Sequence, residues 1–408
     1  MDASFKPRAT RQVEDAVKWA AAEEQPLEIV GHGSKRKLGR PVQAAHVLDL
    51  SDLTGIDSYE PAELVLTVKA GTPIAEIEKL VDDNGQELSF EPMDYGPLLG
   101  GEPGRGTIGG VLAANLSGPR RIKSGAARDH VLGMEAVSGR GEIFNSGGKV
   151  VKNVTGYDLP RALCGAFGTL AVATTVTLKV NPKPETSATF LLGGLNEADA
   201  VKAMCRAMGS SAEVSGAAHL PADLPFGPNG DLPGGLGGTS ARTLLRLEGF
   251  EASVDYRFRT LEKLLGDFGT PDRLEASRSE ELWRNIRDVK VFAGSGTPVW
   301  RVSVAPSDGP RLVARLKAAF DVSAFYDWSG GLVWLSCNDG AVHDGEIRTA
   351  IAAAGGGHAT LVRADPSVRA NVAIFQPQPD ALAALSRRLK GQFDPKGILN
   401  PGRMVTGV

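Results

Sequence analysis

Residues 96–128 read GPLLGGEPGRGTIGGVLAANLSGPRRIKSGAAR. Glycine this dense, outside any linker-like composition, means backbone at positive φ or backbone pressed close to something. Within the stretch, Gly104-Arg105-Gly106-Thr107-Ile108-Gly109-Gly110 contains G-x-G-x-x-G. A dinucleotide-binding β-α-β unit needs a hydrophobic strand immediately before that motif. What precedes it is Pro97-Leu98-Leu99-Gly100-Gly101-Glu102-Pro103, which is no such strand. The anion-binding logic survives without that fold, because amides exposed at the start of a short helix over 110–116 can cradle a diphosphate. The bland alternative is a tight turn. Two further glycine loops, Gly31-His32-Gly33-Ser34-Lys35 and Gly165-Ala166-Phe167-Gly168-Thr169, weaken it.

Upstream of this stretch, Val13, Ala16, Val17 and Ala20 share one face of a helix expected over 12–24, and Pro26 marks its end. Leu27-Glu28-Ile29-Val30 reads as a strand running into Gly31, and 64–68 reads as a second. Residues 73–84 read as an amphipathic helix opened by Pro73 and closed by Gly85. Downstream, 131–137 and 142–144 form a hairpin across Gly139-Arg140-Gly141. A short helix reaches Cys164, 169–180 is a β-branched strand, and Asn181-Pro182-Lys183-Pro184 reads as a domain boundary. Beyond it, strand 188–192, helix 196–208 and strand 213–218 precede a Gly/Pro-rich loop at 221–240. Strand 243–248, helix 251–265, strand 298–304, helix 309–319 and strand 332–336 resemble a repeat of that arrangement. The expected fold is α+β, with a ferredoxin-like antiparallel sheet covered by helices over 187–370. The tail over 371–408 carries helix 380–391 and ends Asn400-Pro401-Gly402-Arg403.

The 408 residues are 42% hydrophobic, with 45 Lys and Arg against 48 Asp and Glu and a net charge of −3. That balance argues against nucleic-acid binding. No apolar run reaches the length of a membrane span, and the first twenty residues lack a secretory pattern. Cys164, Cys205 and Cys337 show no zinc or iron–sulfur spacing, so a cytoplasmic, metal-free, disulfide-free protein is expected.

Taken in order, Gly31-His32-Gly33-Ser34, the 104–110 loop, Asn115-Leu116-Ser117-Gly118, Arg128-Asp129, Asn153-Val154-Thr155-Gly156-Tyr157-Asp158 and Gly165 to Leu170 resemble the PCMH-type FAD-binding domain of the vanillyl-alcohol oxidase / cresol methylhydroxylase flavoproteins. The resemblance covers residues 1–182 and the tail. The K-N-V-T-G-Y-D and S-G-P-R-R segments are most similar to the glycolate oxidase branch of that family. It implies a two-lobed domain with FAD held between the lobes. By that resemblance Gly31, His32, Gly33, Ser34, Gly104 and the amides of Thr107, Ile108, Gly109 and Gly110 hold the diphosphate. Asn115, Ser117 and Gly118 lie along the ribityl chain and flavin ring. Asn153, Thr155 and Gly156 order the loop beside the cofactor, and Arg128 and Asp129 are further cofactor-binding residues. Gly168, Thr169 and Val172 line the adenosine end, and Asn400 returns to the flavin edge. Relatives that tether FAD covalently use a His where this chain has Ser34, so non-covalent FAD is implied. His32 then reads as a loop histidine packed near the phosphates.

Catalytic relatives carry an H-G-D-G-N-x-H-like stretch. Here the nearest segment, Gly355-Gly356-Gly357-His358, has one histidine and no acidic partner, so His358 is a candidate base or a structural histidine. His219 and His343 are isolated. In Trp283-Arg284-Asn285-Ile286-Arg287-Asp288, Arg284 and Arg287 lie one helical turn apart. Arg287 is the candidate fork for a substrate carboxylate, the alternative being a solvated face paired with Glu280 and Glu281. Asp327 to Gly331 either lines the flavin face or is a strand turn. No electron exit is visible, and the resemblance implies a second flavoprotein subunit and an iron–sulfur subunit as partners, with glycolate or a similar small 2-hydroxy acid as substrate. The open alternatives are a self-sufficient hydroxy-acid or alcohol oxidase and a subunit that holds FAD without turnover. Any membrane contact would be peripheral, through partner subunits.

Overall fold

Leu27-Glu28-Ile29-Val30 forms a strand because it is short, apolar and bounded by Pro26 and Gly31. In the computed structural model, which describes residues 3–150, 156–224 and 240–406, it pairs where the sequence gives no hint. Strands β1 (Ala3–Phe5), β2 (Leu27–Val30) and β3 (His46–Asp49) make a parallel sheet in the order β1-β3-β2. Strands β4 (Ile56–Glu60), β5 (Val65–Lys69), β7 (Val131–Ser138), β8 (Ile143–Gly147) and β9 (Ala171–Lys179) make an antiparallel sheet in the order β4-β5-β9-β7-β8, while β6 (Gln86–Glu87) pairs with β10 (Asn181–Pro182). Helix α1 (Thr10–Glu23) buries Val13, Ala16, Val17 and Ala20 against Leu27, Leu48, Leu53, Val137, Val172 and Leu399. Helix α2 (Ile74–Asp82) follows Pro73, and Gly85 turns the chain at φ +65. Helix α3 (Ile108–Ala113) starts two residues before the expected position, because the Thr107 hydroxyl accepts the Gly110 amide at 3.2 Å and caps it.

The chain divides into two units. The first is Met1–Ser117, Gly125–Lys183 and Arg369–Val408; the second is Gly118–Ser124 and Pro184–Val368. The excursion Gly118–Ser124, which contains α4 (Arg121–Ser124), was not foreseen. Its reason is local: Arg120 grips Glu248 through Nε at 3.1 Å and Nη2 at 2.7 Å, and Trp328 Nε1 donates to the Gly118 carbonyl at 3.2 Å. Helix α5 (Leu159–Leu163) belongs to the first unit.

The second unit is a tandem duplication. Strand β11 (Thr186–Gly193), helix α6 (Glu197–Met208), strands β12 (Gly216–Leu220) and β13 (Arg242–Gly249), helix α7 (Glu251–Leu265) and strand β14 (Asp272–Leu274) form one β-α-β-β-α-β motif, with sheet order β14-β11-β13-β12. After α8 (Ala276–Arg287), the motif recurs as β15 (Val299–Ser303), α9 (Gly309–Lys317), β16 (Val322–Asp327), β17 (Leu332–Cys337), α10 (Asp344–Ala353) and β18 (His358–Arg363), ordered β16-β17-β15-β18. The two ferredoxin-like halves join antiparallel where His219 of β12 meets Tyr326 of β16, giving one sheet of eight strands. In the first half, apolar faces of α6 and α7 cover Ala188, Phe190, Leu192, Leu245 and Leu247. Helix α8 is anchored to β11 through Ser279, which bonds Ser187 and Thr189, and through Trp283 Nε1 to Thr189 at 2.9 Å.

Helix α11 (Pro366–Asn371) leads into the tail, and α12 (Asp380–Phe393) follows. Beyond α12 the chain joins β2: Leu27 N donates to Ile398 O at 2.8 Å and Asn400 N to Leu27 O at 3.0 Å. Residues 371–408 thereby complete the first unit rather than trail from it.

Candidate cofactor site

Strand β2 delivers the chain into the loop Gly31–Arg36, which folds on itself through Arg36 N to Gly33 O at 3.1 Å, with Gly33 at φ +75. Among the described residues, the amides of His32, Gly33, Ser34 and Lys35 have no acceptor within the chain. Four successive amides left open beside a cleft are the donor set that a diphosphate needs. Thr107 and Gly110 close the opposite wall. A Cβ on Gly31 would lie 2.6 Å from the Thr107 hydroxyl, so the two loops touch only because residue 31 has no side chain.

The cleft is cationic. Lys35, Arg36 and Arg403 line it. Glu28 pairs with Arg36 and stands 3.8 Å from Arg403, while among the described residues Lys35 has no carboxylate within ion-pair distance. The Arg403 Nη2 also donates to the Lys35 carbonyl at 3.0 Å, pinning the tail to the loop. Burial holds Arg403 down to about 10 and Lys35 down to about 8. His32 lies at the same cleft; burial and then the charge of Arg105 depress its pKa, so it stands neutral near pH 7.

The 104–110 loop contributes differently from the expectation. The Ile108 amide donates to Thr72 O at 3.0 Å, the Gly109 amide to Ala70 O at 2.8 Å, and the Gly110 amide to the Thr107 hydroxyl. These three donors are spent inside the fold. Gly104, at φ +72, donates to Asp94 Oδ2 at 2.7 Å. Among the described residues the amides of Arg105, Gly106 and Thr107 keep no acceptor within the chain, as in the 31–35 segment, while the helical end of the loop from Ile108 on is committed inside the fold.

A second, apolar compartment adjoins the first, lined by Leu50, Met134, Leu163, Phe167, Gly168 and Val172 among others. Thr169 turns inward, its hydroxyl donating to Ala166 O at 2.7 Å. Asn400, at φ +44, borders both compartments; its Oδ1 accepts the Ile29 amide and its Nδ2 donates to Phe167 O, each at 2.8 Å. Asn115 and Ser117 hold the adjoining turn, accepting the amides of Arg128 at 3.2 Å and Ala127 at 2.8 Å. Arg128 and Asp129 are exposed, and Asp129 accepts the Ala126 amide. Gly118 lies in the second unit. Asn153 and Thr155 lie outside the described residues; Gly156 is exposed at φ +81.

In the second unit Arg287 meets the neighbouring carboxylate of Asp288 through Nε and Nη2, both at 2.9 Å, while Arg284 is exposed. His358 is exposed at the start of β18, opposite Ser303 of β15. Among the described residues no three His, Cys, Asp or Glu side chains cluster as a metal site.

The FAD binding domain family matches residues 1–147, and the C-terminal domain of FAD linked oxidases matches residues 376–404. Glycolate oxidase subunit GlcE of Escherichia coli is 33% identical over 392 residues, spanning 96% of this chain and 95% of that one. This chain belongs to the GlcE family of FAD-linked oxidoreductases. Glycolate oxidase subunit GlcD of Bacillus subtilis is 27% identical across 99% of this chain and 88% of its own. The substrate-bound structure of p-cresol methylhydroxylase superposes with a TM-score of 0.72 at 17% identity, covering 99% of this chain and 88% of that one, so the two share a fold. The protein is an FAD-dependent oxidoreductase of α+β fold.

The residues present fit that cofactor. Open amides and the cationic side chains of Lys35, Arg36 and Arg403 match a diphosphate diester, and the apolar compartment suits an aromatic ring system. Gly31 to Lys35, with Arg36 and Arg403, would hold the diphosphate. Burial pushes Cys164 up to about 12, so its thiol stays protonated. Sequence reasoning missed Glu28, Lys35, Arg36 and Arg403 as a charged set. The signal was the basic pair Lys35-Arg36 directly after the glycine loop.

Proposed function

We propose that this chain is the FAD-binding subunit of a glycolate oxidase complex, oxidising glycolate to glyoxylate and passing electrons to a second flavoprotein subunit and an iron–sulfur subunit. The observation that carries this reading is end-to-end similarity to a glycolate oxidase subunit, with no large part of either chain left over. Bound FAD supplies the hydride acceptor. In this reading the 31–36 loop binds and orients the cofactor without a covalent link, since Ser34 stands where tethered relatives have histidine. Arg287 is the proposed contact for the substrate carboxylate, and His358 the proposed acceptor of its hydroxyl proton. The proposed location is the cytoplasm, with any membrane contact made through partner subunits.

A second reading, a subunit that holds FAD without turning over substrate, is favoured by one observation. Two donor atoms of the Arg287 fork are engaged by Asp288, so a substrate carboxylate would have to share or displace that partner. Dye-linked glycolate oxidation by the isolated chain, and by the chain with its partner subunits, separates the two. Turnover lost in Arg287→Ala through a Michaelis constant raised about ten- to a hundredfold supports catalysis here. Partner-dependent turnover that Arg287→Ala leaves unchanged supports the FAD-holding reading. Full turnover by the isolated chain refutes dependence on partners.

A further inference from the structure

We propose that the ammonium group of Lys35 recognises the cofactor's diphosphate, at the side of the cleft where Ile108, Gly109 and Gly110 have their amides committed elsewhere. The inference rests on the FAD site described above and assigns its charge recognition to one side chain. Lys35 belongs to the 31–36 loop, yet its Nζ lies 3.6 Å from the points where Cβ atoms would stand on Gly106 and Gly110. The side chain therefore crosses the cleft from one glycine loop to the other. Both glycines leave room for it, and their neighbours Ile108 and Gly109 have no amide to offer. Among the described residues the hydrogen bond made by Nζ is to the Ser34 hydroxyl at 3.2 Å, and no carboxylate comes within ion-pair distance. A crowded ammonium without a counter-ion, beside four open amides, calls for an anion.

The surrounding charges agree. Arg36 and Arg403 line the same cleft, with Glu28 behind them. Arg105 and His32 interact with each other at the loop. Asp94 attracts Lys35 at longer range, but its two oxygens are held by the amides of Gly96 at 3.0 Å and Gly104 at 2.7 Å. Burial keeps Lys35 at about 8. A bound dianion favours the charged amine, so binding above pH 8 must take up a proton. FAD affinity therefore falls as pH rises from about 8, and levels off only above the pKa of the bound state.

Fluorescence quenching of FAD by apoprotein at pH 7 and pH 9.5 tests this with wild type, Lys35→Met and Lys35→Arg. Wild type is expected to bind at least about tenfold more weakly at pH 9.5. Lys35→Met should bind about ten- to a hundredfold more weakly than wild type at pH 7 and show little change with pH. Lys35→Arg, charged at both values, should bind tightly at both. The melting temperature of each apoprotein reports folding, and Lys35→Arg alone still decides the pH arm if Lys35→Met fails to fold. Equal affinities for Lys35→Met and wild type at pH 7, or an undiminished pH dependence in either variant, would overturn the proposal. Wild-type protein that binds no FAD at either pH would strike the cofactor site itself.

Discussion

Gly109 shows what a single residue can and cannot tell. From sequence, its place in G-x-G-x-x-G puts it on a phosphate, and a bulky substitution there would fill ligand space. In the structure, a Cβ at Gly109 would lie 2.8 Å from Ala70 O and 3.0 Å from Ala70 Cβ, against strand-end backbone. Sequence spacing identifies a glycine that permits close approach, but the direction of approach depends on what packs behind it. Gly109→Val is therefore expected to destabilise the apoprotein by about 1–3 kcal/mol through overpacking, seen as a lowered melting temperature without cofactor. A variant that keeps its melting temperature but loses FAD would return Gly109 to the ligand side. Asn400 is the converse case. The motif Asn-Pro-Gly-Arg was legible, and Asn400 borders both compartments of the cleft, but its amide is spent bridging β2 to the 165–168 turn. Asn400→Ala leaves the Ile29 amide and the Phe167 carbonyl without partners and should cost about 1–3 kcal/mol, measured by denaturant unfolding.

Among the elements, helices with one apolar face and strands between glycine turns were legible. Three of the missed strands have local causes. Strand β16 is buried at every position and so shows no alternation. Strands β1 and β14 are three residues long and exist through their neighbours. The tail was legible as a helix and a motif, not as a structural clamp. Lys390 on α12 is buried with Asp394 at 2.7 Å and donates to Thr169 O at 2.6 Å and Leu399 O at 3.1 Å. Asp394 in turn accepts the amides of Ile398 and Leu399. This pair shapes the segment that carries Asn400 and Arg403 to the cofactor cleft. Removing one member leaves a buried charge unpaired, so Lys390→Met should cost about 3–5 kcal/mol and reduce FAD affinity. Lys390→Met with unchanged unfolding would show that the clamp is not what holds the tail.

At the scale of the whole molecule, the order of glycine loops made the FAD-binding class readable, and the recurring β-α-β rhythm pointed to the antiparallel sheet of the second unit. The duplication itself was only half visible. Its two halves are related by strand order and joined at His219 and Tyr326, neither of which leaves a periodic mark in the sequence. The charged set of Glu28, Arg36 and Arg403 was hidden for a similar reason, because it joins β2, the loop and the tail across most of the chain's length. All of these residues converge on one claim, a non-covalent FAD site built by the 31–36 loop and closed by the tail. Acid precipitation of the FAD-saturated chain tests that claim most directly. The account predicts flavin in the supernatant, in an amount equal to the protein, and a colourless pellet that regains FAD after refolding. Flavin retained in the pellet, or protein that takes up no FAD, would contradict it.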